Sequence, residues 1–231
     1  MGKLSFRNEM HRDLSFWKRK ATEAVKRIIA APTIDEVPNV RVEKRYVYDG
    51  LSIEELSWQL PYGNRTKAIV LKPVGSQGKL PAVLALHDHG SQKFFGYEKI
   101  TQTSLEQHPL IKQHQAKDYE GHAWANNLAK RGYVVMVHDT FGFGSRRVHY
   151  KDIAGIDYGP CSTEGLQEST EVEEVIRYNA WAADHEHIMA KSLFSAGTTW
   201  PGVVLEEDRI ALSLLASRPD VDAANIGCGG L

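Results

Sequence analysis

Three short stretches hold residues whose types and spacing suit chemistry. The first is His87-Asp88-His89-Gly90-Ser91, directly after the apolar run Leu80 to Leu86. A glycine behind a buried strand lets backbone approach a ligand closely, and exposed N–H groups in such a loop can hold charge developing on a carbonyl oxygen. His87 and His89 fall on the same side of an extended chain, which also permits a metal pair. No carboxylate-and-histidine set at a recognisable spacing completes that pair, and His185-Glu186-His187 lacks the HExxH spacing. No metal ligand is therefore assigned, and a metal-dependent hydrolase using His87 and His89 stands only as an alternative.

The second stretch is Asp139 to Arg147, DTFGFGSRR. Gly142 and Gly144 begin a dinucleotide-type GxGxx pattern, but Arg147 occupies the third small position and no clear helix follows. A tight strand-end loop shaped around a pocket fits better. The third is Ile226 to Leu231, IGCGGL. A nucleophile elbow has the form G-x-S-x-G, a sharp turn from strand to helix. Gly230-Leu231 supplies its first two positions. Cys228 and Ser195 do not fit the same pattern, because Ile226 and Leu193 stand where a glycine is required.

The elements that must position these stretches follow from periodicity. Residues 4 to 30 predict an amphipathic helix with Met10, Leu14, Trp17, Ala21, Val25 and Ile28 on one face and Arg12, Lys18, Arg19, Lys26 and Arg27 on the other. It is expected to pack on the domain with its basic face in solvent. Pro32 and Pro38 end it. Arg41 to Tyr48, Leu51 to Leu60 and Lys67 to Lys72 read as closely spaced strands, an antiparallel entry to a sheet. Leu80 to Leu86 and Tyr133 to Val137 are nearly continuous apolar runs, the pattern of strands buried on both faces. Gly121 to Arg131 reads as a helix between them, ending at Gly132, so the unit is a βαβ crossover. Glu171 to Phe194 reads as one long helix within an insertion of about 148–199 over the strand ends. A further helix opens at Trp200-Pro201-Gly202, and Asn225 to Leu231 begins a small-residue strand.

Composition narrows the class. The 231 residues are 42% hydrophobic and 25% charged with a formal net charge of −1, so no global field draws nucleic acid or an anionic membrane. Cys161 and Cys228 form no metal or redox spacing. No leader-like apolar region opens the sequence, and no run reaches the ~18 to 20 apolar residues of a membrane span. A cytoplasmic protein with free thiols is expected.

Gly197 to Leu231, including SRPDVD before the last strand, together with LALHDHG and VVMVHDTFGFGSRR, resembles the α/β-hydrolase superfamily, in its dienelactone-hydrolase-like and acetyl-xylan-esterase-like bacterial branch. The resemblance runs from about Val40 to Leu231. It implies a mostly parallel sheet with antiparallel entry strands, a partial hydrolase core over 38–231 behind an N-terminal helix and linker over 1–37, and a serine nucleophile immediately after Leu231. The backbone of Gly90 or Ser91, near His89, becomes the oxyanion donor. Gly227, Gly230 and Leu231 become the lead-in to the elbow. Phe141, Phe143 and Trp200 become pocket walls. The family's triad runs serine, acid, histidine in chain order, so none of the 10 histidines present is its base.

The expectation is the N-terminal part of a serine hydrolase acting on a small-molecule ester, thioester or lactone, an acylated carbohydrate included, without a cofactor. The alternative from another class is a non-catalytic subunit, or half of a two-chain assembly. There a complementing chain or a second copy covers the open edge of the sheet.

Overall fold

The computed structural model describes residues 4–8, 13–153, 155–156 and 162–230. A helix, α1 (Leu14–Ile29), precedes three strands, β1 (Arg41–Tyr48), β2 (Leu51–Trp58) and β3 (Thr66–Pro73). Then come β4 (Leu80–Leu86), α2 (Pro109–Asp118), α3 (Trp124–Lys130) and β5 (Val134–His138). The remaining elements are α4 (Val172–Asp184), α5 (Glu186–Ser195), α6 (Trp200–Ala216) and β6 (Val221–Gly230). The six strands form one sheet in the order β1-β2-β3-β5-β4-β6. β1, β2, β3 and β5 pair antiparallel in turn, while β4 lies parallel to both β5 and β6. The α/β class with antiparallel entry strands is as the sequence implies, while the sheet over the described residues is mixed, with three antiparallel and two parallel pairings.

Side-chain alternation explains the apolar runs. Val134 and Met136 of β5 join Ala82, Leu84 and the α6 residues Ile210, Ala211, Leu214 and Leu215 on one face. Val135 and Val137 join Ala85, Ile69, Leu71 and the α3 residues Ala125 and Ala129 on the other. Each full burial of such a side chain is worth roughly 1.5–3 kcal/mol, so the two helices clamp the strand ends firmly.

Two expectations change. The N-terminal helix begins at Leu14, capped by the Asp13 carboxylate, which accepts from the Ser15 and Phe16 N–H groups. Met10 and Arg12 lie outside the described residues. No side chain of α1 is buried, and Leu14, Val25 and Ile28 face solvent. The helix is held at its end instead: Thr198 Oγ1 and Thr199 Oγ1 donate to the carbonyls of Ala30 and Ile29 at 2.7 and 2.5 Å. Gly202 fits against this corner because a Cβ there would lie 2.3 Å from the Ile29 oxygen.

Second, the single helix over 171–194 is two. The ring of His185 donates through Nδ1 to the Trp181 carbonyl at 2.5 Å. That carbonyl would otherwise take the His185 N–H, which turns to Ala182 O at 3.3 Å, so the chain tightens and breaks there. One helix is not anticipated: α2 has no apolar signature in the sequence. Its buried face is Leu110, Ile111, His114 and Gln115, half of it polar.

One buried ion pair ties the turn before β3, the loop after β5 and α6 together. Arg146 Nη2 lies 2.6 Å from Glu207 Oε1. The same guanidinium donates to the Tyr62 carbonyl at 3.2 Å and to that of Asn64. Removing one partner leaves an uncompensated buried charge. Glu207→Ala is expected to lower stability by about 3–5 kcal/mol, read from urea unfolding, while the double change Arg146→Met with Glu207→Leu costs far less. A loss under about 1 kcal/mol for Glu207→Ala would show that the pair is not a structural tie.

Candidate functional site

Parallel strands that end together deliver their loops to one edge of the sheet. The loop after β4 begins at His87 and the loop after β5 at Asp139. β6 finishes at the same edge, with Gly229 and Gly230 in register with Ala85 and Leu86. A Cβ on Gly230 would lie 2.2 Å from the Leu86 carbonyl oxygen, so only glycine permits this approach. Gly227 is less constrained, with Val83 as its neighbour. Leu231 lies outside the described residues, as does Cys161.

Asp139 pins the two loops to each other. Its carboxylate accepts from the Tyr97 N–H at 2.8 Å and the Ser145 N–H at 2.7 Å. Gly96 and Gly144 press against it, since Cβ atoms there would lie 1.9 and 2.5 Å from its atoms. Burial raises Asp139 and also raises Glu98, which is pushed up to about 7 with the Asp139 charge adding to the effect. The two acids share one buried region, and each is also held by backbone N–H donors.

Phe143 is the hub beneath the loop. The rings of His87 and His89 meet it edge-on at 5.4 and 5.3 Å. Lys99 Nζ and Lys93 Nζ lie 4.2 and 4.3 Å from its centroid. Lys99 holds the loop backbone from below, donating to the carbonyls of Asp88 at 2.7 Å and His89 at 3.1 Å. Burial brings Lys99 down to about 7, against the opposing pull of Asp88.

The loop residues then take distinct roles. His87 is buried; its Nε2 accepts the Thr140 N–H at 3.3 Å and its Nδ1 donates to the Asp88 carbonyl at 3.0 Å. Burial, with Lys99 second, pushes it down to about 3, so the ring is neutral. Asp88 Oδ2 accepts from Tyr119 at 2.5 Å and His114 Nε2 at 3.1 Å. Burial works to raise Asp88, but those two hydrogen bonds and the Lys99 charge outweigh it and hold the carboxyl well below its usual range.

His89 stays exposed, with Nε2 2.7 Å from Glu186 Oε1, which also pairs with Lys93 Nζ at 2.8 Å. Gly90 and Ser91 both have left-handed backbones, φ 50° and 55°. A Cβ on Gly90 would meet Asp88 Oδ1 at 2.3 Å. The Ser91 N–H is engaged by His89 Nδ1 at 3.2 Å. The Gly90 N–H makes no hydrogen bond among the described residues.

His87 and His89 are therefore not a pair. Strand β4 ends at Leu86, one ring is buried and the other exposed, and their Nε2 atoms have different partners. Among the described residues no group of three or more His, Cys, Asp or Glu side chains is placed to hold a metal. The thiol of Cys228 is pushed up by burial and by Asp208, the wrong direction for a nucleophile.

Beside the loops lies a cavity of about 400 Å³ between them and α4–α5, reached by Lys93, Gly142, Tyr178, Trp181, His185 and Trp200. Trp200 is a wall. Phe141 stands edge-on to Trp200 at 5.7 Å without lining the cavity, and Phe143 is buried below. Periodicity and motifs do not point to Lys99, Glu186 or the Asp88–His114–Tyr119 cluster. Glu186 lies in a short His-Glu-His run, but nothing local couples it to His89.

His87 gives a pH prediction. The unfolded ring takes a proton near pH ~6.5, whereas the folded one resists protonation down to about 3. Its contribution to stability is thus lost as pH falls through that window. Glu98, raised in the fold, acts in the opposite sense at mildly acidic pH. A difference measurement isolates the histidine: His87→Gln keeps an acceptor for Thr140 and should lose less stability between pH 7 and 4 than the parent, by urea midpoint. Equal losses would contradict a buried neutral His87.

No family model matches the chain. It is 24% identical over 196 residues to the Bacillus subtilis (strain 168) protein named "Putative hydrolase YtaP", a match spanning 84% of this chain and 48% of that one. A solved structure from Bacteroides fragilis NCTC 9343, described as a putative acetyl xylan esterase, overlays with a TM-score of 0.63 at 18% identity, over 94% of this chain and 47% of that one. Acetyl Xylan Esterase 1 from Thermoanaerobacterium sp. JW/SL YS485 matches more loosely, with a TM-score of 0.46 at 14% identity, over 95% and 50%. The chain spans about half the length of the relatives it matches. Among the described residues, no helix is long and apolar enough to cross a membrane.

Proposed function

We propose that this chain, which has the α/β-hydrolase fold of the acetyl-xylan-esterase-like branch over about half the length of its relatives, forms the front half of a serine hydrolase. Its substrates are carboxylic esters, thioesters or lactones. The observation that carries this reading is the meeting of Gly230, the His87–Ser91 loop and the Asp139–Arg147 loop at one sheet edge, beside a cavity. The protein related to YtaP and to the esterases would place its nucleophile just past β6, on a turn entered through Gly230 and Leu231.

In this mechanism the serine attacks the carbonyl and a histidine later in the polypeptide takes its proton. The oxyanion is held by the Gly90 N–H and by the N–H following the serine. Lys99 and Phe143 fix the loop that carries the first donor, so little reorganisation is needed at the moment of reaction. His87, with both ring nitrogens engaged and its proton affinity depressed, is a support rather than a base. The outer edge of β6 has no partner strand among the described residues. Further strands, from the same polypeptide or from a companion chain, cover it in this reading. Native mass spectrometry separates those two sources.

The test is serine-directed fluorophosphonate labelling of the intact protein with peptide mapping. The expected label is a serine C-terminal to β6. Gly230→Ala, which forces the strand end off Leu86, should lower ester kcat/KM by about 10²-fold, since a shift of about 1 Å suffices for that. A label within residues 1–231, no label at all, or activity abolished by a chelator would overturn the reading.

A further inference from the structure

The cavity beside the strand-end loops is nearly all carbon. Val148, Ile153, Ile156, Ile188 and Met189 line it together with the rings of Tyr178, Trp181 and Trp200. Of the lining side chains with polar atoms, the Tyr178 hydroxyl and Ser192 Oγ donate to the carbonyls of Val148 and Ile188, and three further atoms belong to this wall: Lys93 Nζ, Trp181 Nε1 and His185 Nε2. None of the three has accessible surface. Lys93 Nζ turns instead to Glu186 at 2.8 Å and lies over the Phe143 and Trp200 rings at 4.3 and 4.6 Å. His185 spends Nδ1 on the Trp181 carbonyl and stacks on the Trp181 ring at 4.3 Å. What the cavity offers a ligand is therefore the faces of rings and the ends of aliphatic chains.

Part of the wall is anchored by packing and a hydrogen bond. Tyr150, Tyr178 and Trp181 form one buried aromatic cluster with Ala182, and the Tyr178 hydroxyl is anchored on the Val148 carbonyl at 2.9 Å. Gly142, with φ 86°, leaves room for Trp200, since a Cβ there would lie 2.9 Å from the indole. A volume of about 400 Å³ falls within the ~300–1,000 Å³ of small-molecule sites. Its concave form and its reach to Lys93 and Gly142 on the strand-end loops fit a ligand that extends away from the reacting carbonyl.

A hydroxyl-rich ligand would leave its polar groups unpaired here, at a cost of about 1–3 kcal/mol for each one buried. We infer that this cavity binds a hydrocarbon acyl chain of about six to ten carbons, and that the enzyme prefers such esters to acetate or to esters whose acyl group is itself a sugar acid. This rests on the esterase reading given above and names the substrate class of that same site.

Two measurements on the intact protein test it. The first is kcat/KM for p-nitrophenyl acetate, butyrate, hexanoate and octanoate. Burial of each methylene is worth about fourfold, so the octanoate-to-acetate ratio should exceed about tenfold. Ser192→Trp places an indole into the cavity from its exposed rim and should bring that ratio toward one. The second is calorimetric titration with 1-octanol, which needs no catalysis. Saturable binding that Ser192→Trp abolishes is expected, with circular dichroism confirming the variant's fold. Ester hydrolysis without chain-length preference and without octanol binding would overturn the inference and leave the esterase reading intact. Octanol binding that Ser192→Trp leaves unchanged lies elsewhere and also overturns it. Binding that the variant abolishes, in a protein that cleaves no ester, would overturn the esterase reading and leave the apolar site standing.

Discussion

The buried carboxylate of Asp139 is the constraint on which the site depends. It sits one residue past β5 and takes backbone N–H groups from two loops, at Tyr97 and Ser145. It acts with two further ties between the loop after β4 and the loop after β5, the Thr140 N–H on His87 Nε2 and the Gly144 N–H on the Lys93 carbonyl. Its neighbours show how tightly the arrangement is drawn, because Gly96 and Gly144 have no room for a Cβ. A carboxylate in such a place is costly unless its lone pairs are satisfied. Here backbone donors satisfy it, and its charge together with burial pushes the nearby Glu98 up to about 7.

From that pin the loop after β4 is built upward in layers. Phe143, carried by the second loop, lies under the first. Lys99 fills the space between ring and backbone, donating to two successive carbonyls. Those carbonyls point down into the protein, at Asp88 and His89, which leaves the left-handed turn at Gly90 and Ser91 on the outer side. Asp88 closes the layer from the side through His114 and Tyr119. The buried charges thus act on backbone geometry, and their altered proton affinities follow from that structural task.

Helix α5 couples to the loop through Glu186, which bridges His89 and Lys93, and α4 through Asn179, which accepts the Phe94 N–H and donates to Gln92. The break at His185 sets Glu186 at the start of its own helix and turns the flanking rings toward the cavity. A continuous helix over 171–194 would have presented a different face. The cavity wall and the loop are therefore parts of one connected structure, though they are separated by some ninety residues of chain.

The strands and their buried faces were legible from the sequence. Unbroken apolar runs at β4 and β5 can exist only where both sides are covered, and alternation then decides which residues meet α3 and which meet α6. The small residues at the end of β6 were likewise visible as a place of close approach. The gathering of the site was not visible. Lys99, His114 and Glu186 are charged or polar, and in sequence they resemble solvent-facing residues. Only tertiary packing buries Lys99 and His114 and gives the partly exposed Glu186 its partners, because such a charge is fixed by groups far away in the chain, whereas periodicity reports on neighbours along it. The same holds for α2, whose buried polar residues hid its helical period. It holds too for α1, whose apolar stripe resembled a packing face while the fold anchors that helix by its final carbonyls.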